Sequence, residues 1–74
     1  MTPIKEILDN FESRVLSAVA QADGYGVPQA EVMRPFLGSV VDSSLRYRIR
    51  RMERQNKIRT RDVGGRKLLL PVED

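Results

Sequence analysis

The chain has no cysteine, no histidine and no tryptophan. Without cysteine there are no disulfides and no thiolate metal sites. Without histidine the commonest metal ligand and the side chain that shuttles protons near neutral pH are missing. Catalysis would have to rest on carboxylates, Ser, Thr, Tyr or Lys. The acids Glu6, Asp9 and Glu12 read most simply as the exposed side of a first helix. An enzyme is not expected, nor a cofactor or a bound metal. No apolar run approaches the roughly 18 residues of a membrane span, and the N-terminus lacks the basic-then-apolar order of a secretory signal. A soluble, cytoplasmic protein is expected. With 74 residues there is room for one small domain, near the lower end of what one hydrophobic core can hold. No large pocket and no small-molecule ligand are expected.

Basic charge is present and unevenly placed. Of 13 Lys and Arg, 10 lie between Arg46 and Lys67, with only two acids there, Glu53 and Asp62. That segment carries +8, residues 1–45 carry −3 and residues 68–74 carry −2, so the net +3 conceals a polarised molecule. A concentrated basic surface against an acidic remainder is the footprint of a protein that docks one face on a polyanion, most often nucleic acid.

The order of elements is legible from start and stop signals. Thr2-Pro3 opens a helix, and Ile4, Ile7, Leu8, Phe11, Val15 and Val19 recur at three- and four-residue steps on one face of it. Asp9 and Asn10 are cap-forming residues that could divide this helix, leaving residues 1–10 as an N-terminal helical extension. Asp23-Gly24-Tyr25-Gly26 ends it, Tyr25 by default anchoring the turn, and Val27 sits in a very short extended piece. Pro28 opens a second helix with Ala30, Val32, Met33, Phe36 and Leu37 on its buried side. Pro35 removes an internal hydrogen bond, which predicts that this helix is short or kinked near Met33. Gly38 closes it. A third helix is predicted over about Ser43 to Gln55, with Asp42, Ser43 or Ser44 as its cap and Leu45, Ile49 and Met52 as its apolar stripe. Asn56 tolerates the left-handed conformation after it. Lys57–Val63 and Arg66–Leu70 read as strands joined by Gly64-Gly65, a strong hairpin signal. Pro71 stops the second strand, and residues 71–74 are expected to fray.

With Leu45 at zero and about 100° per residue, Ser43, Tyr47, Arg50 and Arg54 fall near the pole opposite the stripe, flanked by Arg46 and Arg51. Such a face suits the major groove, where Arg can grip guanine with two hydrogen bonds and Tyr can stack or donate to phosphate. Ser43 and Ser44 at the helix N-terminus suit a phosphate. The hairpin adds Arg59, Arg61, Arg66 and Lys67, and a basic tip can reach an adjacent minor groove. The plainer readings are a solvated helix face and an edge hairpin kept soluble by charge. Against them, only Glu53 lies at helical spacing to pair with Arg50 or Lys57, and the strands carry almost only positive charge.

Helix, helix, turn, helix, hairpin is the order of a winged helix. The stretch LRYRIRRMERQNKI, Leu45 to Ile58, resembles the recognition helix and following strand of winged helix-turn-helix transcription regulators of bacteria and archaea, phage and plasmid forms included. IRTRDVGGRKLLL, Ile58 to Leu70, resembles that family's basic strand, glycine-containing tip and apolar return strand. The likeness covers nearly the whole chain after Phe11. It departs in a longer loop from Gly38 to Asp42 and in Pro35 within the second helix. The resemblance implies an α+β fold of three helices and a C-terminal β-hairpin wing, and a small transcription regulator associated with the nucleoid. The expected function is sequence-specific binding of double-stranded DNA, with the third helix in the major groove and the wing on the backbone or minor groove. The alternatives are an RNA-binding winged helix and a protein-interaction module using the basic face. Ile4, Ile7 and Leu8 are either the seam of a homodimer on two half-sites or part of the core.

Overall fold

Hydrophobic spacing and chain-breaking residues set the element boundaries, and the computed structural model describes residues 3–22 and 24–72. In chain order these form α1 (Ile4–Gln21), β1 (Val27–Pro28), α2 (Gln29–Met33), a 3₁₀ turn (Arg34–Phe36), α3 (Asp42–Arg54), β2 (Arg59–Val63) and β3 (Arg66–Leu70). The architecture is α+β. Among the described residues, three α-helices pack with one antiparallel sheet of strand order β1-β3-β2.

α1 runs unbroken through Asp9 and Asn10. Both residues favour caps, but Phe11, Val15 and Val19 carry the buried stripe past them, and packing outweighs local preference. The helix begins after Pro3, whose carbonyl accepts the Ile7 N–H at 3.2 Å. Thr2, the expected cap, and Asp23, in the exit loop, lie outside the described residues. Ile7 and Leu8 pack partly against the core, whereas Ile4 is 62% exposed. Tyr25 is not packed as an anchor among the described residues. It is 85% exposed, because the flanking glycines at φ +80° and +85° turn the chain without help from a side chain.

α2 stops at Met33, as Pro35 dictates, and the chain tightens into the 3₁₀ turn. That change of pitch alters which residues reach the core. Val32 and Met33 are buried, and Phe36 is half-buried with its ring edge-on to Phe11 (centroids 5.1 Å apart, 74° between planes). Ala30 and Leu37, both expected inside, are exposed.

α3 buries Leu45, Ile49 and Met52, the predicted stripe. Its bounds lie one residue earlier than the sequence suggested, with Val41 at the cap position and no side chain capping the N-terminus. At the other end the Lys57 N–H donates to the Met52 carbonyl (2.9 Å) and the Asn56 N–H to that of Glu53 (3.1 Å). Asn56 takes φ 59°. This is a Schellman exit, and it consumes Lys57 and Ile58, so β2 begins at Arg59 rather than Lys57.

Gly64 and Gly65 both have positive φ, 56° and 80°, the requirement of a two-residue type I′ hairpin. Pairing runs from Val63↔Arg66 to Arg59↔Leu70. The very short extended piece at Val27 becomes a third strand, pairing Val27↔Leu69 and Pro28↔Leu68. Gly26 beside it has no room for a side chain: a Cβ would lie 2.9 Å from Leu70 Cδ2 and 3.1 Å from the Leu69 carbonyl oxygen. The core gathers Phe11, Val15, Leu45, Met52, Ile58 and Leu69 from α1, α3, the link that follows it and β3. Pro71 and Val72, expected in a frayed tail, are half-buried.

Candidate nucleic-acid interface

The surface is built on α3. Burying Leu45, Ile49 and Met52 turns Ser43, Tyr47, Arg50 and Arg54 outward, and all four are exposed, Tyr47 by 55%. Arg46 and Arg51 are also exposed but on opposite flanks. Arg46 shares a concavity with Arg50, Glu53, Gln29 of α2 and Lys67 of β3, so this flank faces α2 and the hairpin. The other flank faces α1, where Arg48 reaches across to it. Arg48 Nη1 donates to Glu12 Oε2 at 2.6 Å and to Asp9 Oδ1 at 3.0 Å. Its side chain is 11% exposed and that of Glu12 13%. The hydrogen bond to Glu12 raises the pKa of the Arg48 guanidinium above its ordinary value against the opposing effect of burial, and the bond to Asp9 adds in the same direction. Arg48 is therefore a fixed positive charge that ties α3 to α1.

Two acids thus do more than line the exposed side of α1, which corrects the sequence reading of Asp9 and Glu12. Their three-residue spacing puts them on one helical face, and that spacing was the available signal. A second correction concerns Asp42. It pairs with Arg46 one turn on, so the helix has an ion pair besides the one expected of Glu53. Glu53 pairs with neither Arg50 nor Lys57 in the salt bridges among the described residues; it accepts the Thr60 hydroxyl at 2.6 Å. Asp42 also changes the helix N-terminus. Ser43 is exposed and Ser44 half-buried there, but an anion approaching their N–H groups meets the Asp42 carboxylate in the same first turn.

Strand alternation divides the hairpin's cations. Leu69 is fully buried and Thr60 bonds to α3, so Thr60, Asp62, Lys67 and Leu69 form the inner face of the sheet. Arg59, Arg61, Val63, Arg66, Leu68 and Leu70 form the outer one. Arg59 and Arg61 therefore do not join the α3 surface, contrary to a single continuous patch. Lys67 does, and Arg66 reaches the same side from its place beside the turn. Both line a groove of ≈ 590 Å³ between α2, the start of α3 and the hairpin tip. Its apolar part includes Met33 and Leu37, and Arg34, Arg46, Arg66 and Lys67 outnumber Asp42 and Asp62 along it. A groove of that size was not expected. It arises because the 3₁₀ turn swings Leu37 outward and the hairpin projects beside it. Gln29, which is buried, and Arg34 were not foreseen as part of this surface.

Among the described residues no helix is long and apolar enough to cross a membrane, and no group of three or more His, Cys, Asp or Glu is placed to hold a metal. In comparisons with known proteins, the chain matches no protein-family model, no curated protein and no solved structure.

Proposed function

We propose that the chain is a winged helix that binds double-stranded DNA and acts as a small transcription regulator. α3 enters the major groove, and the hairpin's inner and tip cations, Lys67 and Arg66, track the backbone beside it. The observation that carries the reading is the outward pole of α3, where Tyr47, Arg50 and Arg54 stand exposed with no carboxylate among them. Arg51 adds charge on one side and the Arg46–Lys67 groove on the other. An α-helix with its side chains is about 10–12 Å across, which matches the ≈ 12 Å major groove. Arg48, held by Glu12 and Asp9, fixes the rotation of α3 that presents this pole. Tyr47 and Arg50 are the base-reading candidates, and Arg46, Arg51, Arg54, Arg66 and Lys67 serve phosphates.

The test is a titration of the intact chain against a panel of duplexes of different sequence and against structured RNA hairpins. The chain is expected to prefer some duplexes, and Tyr47→Ala and Arg50→Ala to lose about 1–3 kcal/mol on the best of them and less on the rest. Equal losses on every duplex would remove base reading by α3. Tighter binding to RNA hairpins than to any duplex would overturn the assignment to DNA.

A further inference from the structure

The cations left out of the α3 surface have a surface of their own. Arg59 and Arg61 lie on β2, an edge strand, and are exposed on the outer face of the sheet. Their cross-strand partners are Leu70 and Leu68, and the hairpin's one acid, Asp62, turns to the other face. Neither arginine forms a salt bridge among the described residues. Arg59 and Arg61, two residues apart, stand about 7 Å from each other along the strand. Charges of either sign would protect an edge strand, so a face with two cations and no described acid asks for a further reason.

The direction of this face matters as much as its charge. The sheet turns its inner side to α3, as the Thr60–Glu53 hydrogen bond and the Lys67–Arg46–Arg50 concavity require. Both the outer pole of α3 and the outer face of the sheet point away from the core they share. A straight duplex seated on α3 meets the hairpin on its Lys67 side and leaves Arg59 and Arg61 open. The outer face is flat, with no helix to enter a groove, so what its two arginines offer is contact with phosphates.

We propose that the outer face of the sheet is a second DNA-binding surface, and that one chain bridges two duplex segments. One duplex is held by α3 and the other through its backbone by Arg59 and Arg61. This rests on the proposed binding of duplex by α3. It makes the protein a bridging element of DNA as well as a reader of it.

Energy transfer between donor-labelled and acceptor-labelled short duplexes, with sedimentation to fix the composition of the complex, tests the inference on the intact chain. The expected species contains one chain and two duplexes. Arg59→Glu/Arg61→Glu, and the milder Arg59→Gln/Arg61→Gln, are expected to reduce the affinity for the second duplex about tenfold or more while leaving the first within about threefold. Circular dichroism of both variants verifies the fold. Saturation at one duplex per chain with DNA in excess overturns bridging and leaves the α3 reading intact. An equal loss for both duplexes in the variants also overturns it, since Arg59 and Arg61 would then touch the first duplex. A wild-type chain that binds no duplex overturns both readings.

Discussion

Arg48 and Arg50 stand two positions apart on α3 and end in different surroundings. Arg50 points to solvent on the outer pole, and Arg48 is enclosed against α1 by Glu12 and Asp9. In sequence they belong to one basic run. What separates them is about 200° of helical rotation and the arrival of α1 on one flank only. Removing Glu12 leaves the enclosed guanidinium with only the more exposed Asp9, and an under-compensated charge is more damaging than the pair is stabilising. Glu12→Gln is therefore expected to lower the stability of the fold by about 3 kcal/mol, read as a shift of the denaturant midpoint, with Asp9→Asn milder because Asp9 is the more exposed acid. An unchanged midpoint in Glu12→Gln would show that Arg48 does not hold α1 to α3.

At the scale of elements, the sequence signals were clearest where a single local rule applies. Asn56 ends α3 in the left-handed conformation, Gly64-Gly65 forms the I′ turn, Pro35 stops α2, and the Leu45–Ile49–Met52 stripe orients α3. Less was legible where tertiary packing decides. The run Leu68-Leu69-Leu70 has no alternation, so nothing local says which leucine faces the core. The pairing of β3 with β1 and β2 and the packing of Thr60 on α3 settle it in favour of Leu69. With that parity come the outward positions of Arg59 and Arg61, which composition alone had merged with α3. Gly26 is another product of pairing, pressed against β3 at positive φ. Gly26→Ala combines left-handed strain with a close approach to backbone, and is expected to destabilise by about 1–3 kcal/mol in thermal or denaturant unfolding. A neutral effect would mean that β1 is not held against β3 as described.

Across the whole molecule, charge follows the fold. The acids Asp9 and Glu12 on α1 neutralise Arg48, Asp42 engages Arg46, and the remaining cations of α3 face solvent together. Net charge hid this, and the segment count revealed only half of it, because two of the ten cations between Arg46 and Lys67 are held by acids from outside the segment. The proposed duplex surface then meets phosphates through Arg46, Arg51, Arg54, Arg66 and Lys67, and that contact would release condensed counterions. Duplex affinity measured against salt concentration at one duplex per chain tests this most directly. About five neutralised phosphates give a log–log slope of about −4.5. A slope shallower than about −2, or no measurable affinity at low salt, would contradict a polyanion-binding α3.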